Sequence, residues 1–200
     1  MANYTIYASV VGCIRSKSGT YSSARSGTDK TLDTSLSVGQ AYIATFYYCF
    51  EVFIGFTTSS VLGTVSSATL SAHLAGDGSS TDFTVYARLR DFGSGAVTTG
   101  DWVAGASLSA LTQLASINTS GIGSTGSYKT FTSSNLASNI NTSGDTRIIL
   151  TSSRHEGNNT PTGNEYVVFT LATGSANAPY LSITDDYVPP QATRSFGTII

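Results

Sequence analysis

Ser66-Ser67-Ala68-Thr69-Leu70-Ser71-Ala72-His73-Leu74-Ala75 alternates strictly along its length. Ala68, Leu70, Ala72 and Leu74 share one face, and Thr69, Ser71 and His73 share the other. A period of two is the signature of a half-buried strand, because successive side chains of extended backbone point to opposite sides. Residues 82–91 repeat the pattern, with Phe83, Val85, Ala87 and Leu89 opposite Thr84, Tyr86, Arg88 and Arg90. Between the two lies Gly76-Asp77-Gly78-Ser79-Ser80, rich in turn formers. The pair reads as an antiparallel hairpin with one buried face.

Working outward, residues 42–56 carry apolar side chains at every even position: Tyr42, Ala44, Phe46, Tyr48, Phe50, Val52, Ile54 and Phe56. The run is too long for one ordinary strand. It reads as a strand or extended arm leading into a central strand near 48–56. Further strands are expected at 4–13, 128–132, 145–152, 165–172 and 179–185. Helix is scarce: Leu108, Leu111 and Leu114 suggest a turn or two, as do Leu136 and Ile140. Residues 15–40 are rich in Ser, Gly and Thr and read as a long loop. About eight strands with short turns imply an all-β fold, a two-sheet antiparallel β-sandwich or jelly roll with long loops and a C-terminal arm. Residues 1–186 form the single sandwich domain and 187–200 an extension. Pro189 and Pro190 stop sheet pairing there. Phe196, Ile199 and Ile200 then end either a frayed tail or an arm that docks on a neighbouring subunit.

Composition removes several classes of function. Of 200 residues, 60 are Ser or Thr and 20 are Gly, while only 11% are charged. Disordered chains are charge-rich and aromatic-poor; this one has 11 Tyr and 9 Phe. Ten basic residues are scattered without a run, so neither a phosphate backbone nor an anionic membrane finds a complementary surface. The first residues lack the charged and apolar regions of a signal peptide, which points to synthesis in a cytoplasm. Three glycosylation sequons, at Asn118, Asn141 and Asn158, are matches expected by chance in a chain so rich in Ser and Thr. Cys13 and Cys49 sit in apolar strand-like runs and read as free thiols, with a disulfide as the alternative.

Chemical motifs are sparse. His73 lies on the polar face of a strand and His155 in a polar loop. Neither has the companions of a hydrolase or zinc centre, and no Gly-x-Ser-x-Gly elbow is present. Gly121-Ile122-Gly123-Ser124-Thr125-Gly126 matches a dinucleotide fingerprint, but strand rather than helix follows it, so it reads as a loop. Glu51, among strand aromatics, reads as an edge residue or a partner for an arginine. Asp77, Asp82, Asp185 and Asp186 stand near turns without a calcium-loop pattern. These observations imply no catalytic residue, no metal and no cofactor. Trp102, the one tryptophan, is either a core plug or a sugar-stacking platform; in the second case Tyr86, Arg88 and Arg90 would line a glycan groove with it.

The order of segments carries a resemblance. Phe50-Glu51-Val52-Phe53-Ile54-Gly55-Phe56-Thr57-Thr58-Ser59 precedes Thr64-Val65-Ser66-Ser67-Ala68-Thr69-Leu70. Thr81-Asp82-Phe83-Thr84-Val85 and Asp101-Trp102 come next, and Pro161-Thr162-Gly163-Asn164-Glu165-Tyr166-Val167 and Ala178-Pro179-Tyr180-Leu181-Ser182-Ile183-Thr184 close the series. Over residues 40–186 this resembles the β-sandwich domain of the DNRLRE and disaggregatase-related type, akin to carbohydrate-binding modules and found in virion proteins of tailed bacteriophages. One departure is Thr57, where the pattern has Asp. The resemblance implies a jelly-roll-like sandwich and supplies no catalytic residue. It leads to the expectation of a virion structural protein, made in the host cytoplasm, that decorates or cements the capsid. Its partners would be the major capsid protein or other virion proteins, in a homo-oligomer, with a trimer the natural guess. The alternative is a carbohydrate-binding module of a tail or fibre that recognises host glycans.

Overall fold

The computed structural model describes residues 1–170, 172–174 and 176–188. The fold is all-β. Its strands are β1 (Ala2–Tyr7), β2 (Val10–Ser18), β3 (Lys30–Asp33), β4 (Leu36–Ile43), β5 (Phe46–Thr57), β6 (Val65–Asp77), β7 (Thr84–Leu89), β8 (Gln113–Asn118), β9 (Ser127–Thr132), β10 (Asp145–Ser152), β11 (Asn164–Phe169) and β12 (Tyr180–Asp185). Three short helices accompany them: α1 (Tyr21–Ser26), α2 (Ser134–Ser138) and α3 (Ser153–Glu156). Every pairing is antiparallel. One layer runs β3-β2-β5-β10-β7-β8 and the other groups β1-β12-β6-β9, with β4 and β11 joining them. Between the layers lies the main core, built from Val52, Ile54 and Phe56 of β5, Leu70 and Leu74 of β6, Phe131 of β9, Leu150 of β10 and Leu181 of β12.

The alternating stretches at 66–75 and 82–91 are strands, but they do not form the expected hairpin. β6 pairs with β9, β11 and β12, whereas β7 pairs with β8 and β10. Alternation fixes which face of a strand is buried, not which strand lies beside it. Two strands that face each other across a core satisfy it as well as two that pair. The linker carries the chain from one layer to the other, held to β11 by Gly78 N–H donating to Tyr166 O (3.1 Å) and Ser80 N–H to Asn164 O (2.8 Å).

Of the two expectations for 42–56, the strand holds and the arm does not: the end of β4 leads into the central β5 through a hairpin. β4 and β5 meet at Ala44 (φ 48°) and Thr45 (φ 73°). Two consecutive left-handed residues give the two-residue turn whose twist suits a hairpin. No Asn or Gly marks it, so the apolar alternation runs through the turn unbroken.

Residues 15–40 also differ from expectation. In place of a long loop they form the end of β2, α1, β3 and most of β4. Their few large apolar residues are well placed: Tyr21 and Ala24 of α1 pack on the outer face of the β2-β5-β10 layer, and Leu36 and Val38 enter the main core.

β4 is the corner of the molecule. Leu36–Val38 pair only with β11, whereas Gly39–Ala41 pair with both β11 and β5. The strand changes layers at Gly39, whose φ is 132°. A Cβ there would lie 2.2 Å from the Glu165 carbonyl oxygen, so only glycine fits.

A second core covers the outer face of the β2-β5-β10 layer. Ile14, Cys49, Phe53 and Ile149 on the strands are roofed by α1, α3 and the segment 92–111, which contributes Phe92, Val97, Trp102, Val103 and Leu108. β5 is therefore buried on both faces, which is why its sequence is apolar on both, Glu51 apart.

Candidate functional site

Where β5 leaves the cover of the second layer, its inner face opens into a groove of about 370 Å³ against β2, β3, β4 and β11. Register builds it. Arg15 lies opposite Phe50, Phe50 opposite Gly39, and Gly39 opposite Tyr166, so one cross-strand row spans four strands. Tyr48, two residues before Phe50, lies opposite Lys17 and Ala41.

The groove combines flat apolar surface with fixed polar groups. The rings of Tyr48 and Phe50 are nearly parallel, with centroids 6.3 Å apart and 8° between planes. Tyr166 tilts against Phe50 at 5.7 Å. The Arg15 guanidinium lies 5.9 Å from the Tyr48 ring centroid and 3.5 Å from the Asp33 carboxylate, and donates to Thr31 Oγ1 (3.3 Å). Asp33 Oδ1 accepts from Ser35 N–H and Ser35 O–H, each at 3.2 Å, and the Ser35 and Ser37 hydroxyls lie 3.1 Å apart. Toward the hairpin tip, Ile43 and Phe46 are exposed, and the Lys17 ammonium sits 4.0 Å from the Phe46 ring centroid. A stacking face beside donors and acceptors of both signs suits a ligand that presents an apolar ring face and many hydroxyls.

The residues expected to line a glycan groove are not brought together. Trp102 is only 8% exposed: its indole covers Gly27 and meets the His155 ring at 5.6 Å, a plug between α1 and α3. Arg88 is equally buried and forms a two-pronged pair with Glu156, its Nε donating to Oε1 (2.7 Å) and its Nη2 to Oε2 (2.5 Å). Tyr86 is half-buried, with the Arg88 guanidinium 4.9 Å from its ring centroid. Arg90 lies in a separate cleft, beyond the C-terminal end of β7. Arg88 and Trp102 are buried where segment 92–111 and α3 roof the outer face of the layer, whereas Tyr86 and Arg90 are only partly covered. The arm residues Pro189, Pro190, Phe196, Ile199 and Ile200 lie outside the described residues.

The other ionisable candidates have structural surroundings. Glu51 is neither an edge residue nor an arginine's partner. It is fully buried, its Oε2 accepts from Val103 N–H at 3.0 Å, and desolvation pushes its pKa well above the ordinary carboxyl value. His155 is on α3 rather than in a loop and is fully buried, with neither ring nitrogen hydrogen-bonded; burial lowers its pKa to about 4. His73 is not simply solvated, since its Nδ1 lies 2.8 Å from Thr170 Oγ1. Asp185 accepts from the backbone N–H groups of Ala2 (3.1 Å), Gly63 (2.8 Å) and Tyr187 (3.1 Å), clasping the N-terminal strand to the end of the last one. Cys13 and Cys49 are buried free thiols on opposite faces of their layer, one in each core. Among the described residues no three His, Cys, Asp or Glu side chains are grouped to hold a metal ion.

Sequence reasoning missed Arg15, Asp33, Tyr48, Phe50 and Tyr166 as a group. Tyr48 and Phe50 were visible only as part of an apolar run, and Arg15 and Asp33 fell in the stretch read as loop. Neither a protein-family model nor a curated protein matches the chain.

Proposed function

We propose that this chain is a non-enzymatic structural protein of a bacteriophage virion that decorates or cements the capsid surface, in contact with the major capsid protein or its neighbours and as a homo-oligomer. The observation that supports this reading is how the charges are used. Arg88–Glu156 and Arg154–Glu165 tie α3 to β7 and β11, instead of surrounding a place where a substrate would react. The resemblance to virion β-sandwich domains points the same way. Mass spectrometry and antibody labelling of gradient-purified particles test it. Stoichiometric copies on the particle surface are expected; a chain found only in the soluble fraction of infected cells would sink the reading.

A second reading, a carbohydrate-binding module of a tail or fibre, is favoured by the Tyr48–Phe50–Tyr166 groove with its Arg15–Asp33 pair. It predicts saturable glycan binding that Tyr166→Ala weakens at least about tenfold, since ring stacking carries a large share of such affinity. Trp102→Phe, in the second core, leaves affinity unchanged. Absence of any ligand on a broad glycan array rules this reading out.

A further inference from the structure

At the opposite end of β5 from the aromatic groove, a cleft of about 600 Å³ opens between the end of β7, the start of β10 and the turn after α2. Arg90, Asp91, Asn139, Asn141, Asp145 and Arg147 line it. Arg90 and Arg147 are strand neighbours: Arg90 N–H donates to Arg147 O at 3.1 Å. Two arginines thus stand at neighbouring positions and line one cleft, an arrangement that costs free energy unless anions compensate it.

The compensation is incomplete. Arg147 is 7% exposed, lies 5.0 Å from the Phe92 ring centroid, and donates through Nη2 to Asp145 Oδ2 at 2.5 Å. Its Nε lies 3.7 Å from Asp91 Oδ1, an exposed carboxylate that also accepts from Gly93 N–H at 2.9 Å. Its Nη1 is buried without a partner. Arg90 makes no side-chain hydrogen bond or ion pair among the described residues, and its Nε too is buried without a partner. Glu51, whose field reaches Arg90, is fully buried, which favours its neutral, protonated form.

We propose that this cleft binds the oxyanion group of a small acidic ligand, a carboxylate, sulfate or phosphate, with Arg90 as the principal contact and Arg147 as the fixed cation behind it. A forked guanidinium recognises two oxygens of one group, so Arg90 gains the partner that the fold leaves out. The cleft is roomier than a bare inorganic ion requires. Asn139 and Asn141 also line it, their amides held by Asn135 O (2.8 Å) and Asp145 O (3.1 Å). The site is independent of the aromatic groove and of both functional readings above.

Titration of the full chain with sodium sulfate, D-glucuronate and D-glucose tests it, followed through the arginine Nε–Hε resonances. Saturable shifts with sulfate or glucuronate are expected, and none with glucose. Binding to sulfate alone identifies a free inorganic anion as the ligand; binding to both identifies a larger acidic molecule. Arg90→Gln weakens binding about tenfold or more, with its thermal unfolding midpoint unchanged. Should Arg90→Gln unfold, Arg90→Lys keeps the charge without the fork and still binds more weakly. Glucose binding as well as glucuronate, absence of any saturable shift, or undiminished binding by the folded Arg90 variants would overturn the proposal.

Discussion

Arg88 on β7 and Glu156 on α3 form a two-pronged ion pair in which each side chain is only 7% exposed. Thr151 O–H also donates to Glu156 Oε1 (2.6 Å), and Arg88 Nη1 to Leu111 O (2.8 Å). The pair fastens α3 and the end of segment 92–111 to the β7-β10 strands. Removing one partner leaves the other charge buried, so Glu156→Ala is expected to destabilise the fold by about 3–5 kcal/mol. Replacing both, as Arg88→Met with Glu156→Leu, recovers most of that loss. Denaturant unfolding of the two variants checks this; a Glu156→Ala loss below about 1 kcal/mol would place the pair with weak surface bridges.

His155 gives the fold an acid limit. Its pKa is lowered to about 4 by burial, against about 6.5 in an unfolded chain. The unfolded state therefore takes up the proton first. The stability of the neutral form is complete above about pH 6.5 and is lost as pH falls toward 4. His155→Phe should flatten that part of the curve, an effect on the order of 3 kcal/mol between pH 7 and pH 4. Parallel stability curves for the two proteins across this window would refute it.

Glu51 acts in the opposite sense. Its folded pKa is raised, so it is the folded state that holds the proton, and its burial becomes costly once pH exceeds the unfolded carboxyl value. Glu51→Gln preserves an acceptor for Val103 N–H and removes the titration. The variant should be more stable than the parent at pH 8, with the difference vanishing near pH 4. A variant less stable than the parent at pH 8 contradicts a protonated Glu51.

Gly39→Ala tests the corner of β4. The positive φ and the 2.2 Å approach to the Glu165 carbonyl predict a loss of about 3 kcal/mol or more. Gly93→Ala, also at positive φ but with nothing within 4 Å of its Cβ, should cost about 1 kcal/mol. Equal losses would mean that conformation alone, rather than the clash, limits position 39.

The groove and the core were unequally legible. Ala68, Leu70, Ala72 and Leu74 announce a strand and its buried face, because a strand's two faces meet different surroundings and the sequence records that difference. Tyr48 and Phe50 carry no comparable mark. They follow the same even-numbered row as Val52 and Ile54, and only the end of the covering layer separates groove from core. Arg88 shows the reverse error: its alternation with Ala87 and Leu89 gave the right face, but a polar face can lie under a second layer as readily as under water. Trp102 was open to both readings, and its contact with His155, 53 residues away in sequence, settles that it packs inside.

The sequence by itself determined an all-β chain, most of its strands, their buried faces, and a charged content of only 11% without a run of basic residues. Those are local properties, set by side-chain alternation, turn residues and composition. The tertiary structure alone decided which strands pair, that residues 15–40 are ordered elements, that Arg88 of β7 lies indoors, and that Arg15, Asp33, Tyr48, Phe50 and Tyr166 share a groove. Strand pairing is a contest among many similar hydrophobic faces. It is resolved by register, by the layer change at Gly39 and by buried pairs such as Arg88–Glu156, all contacts between residues distant in sequence.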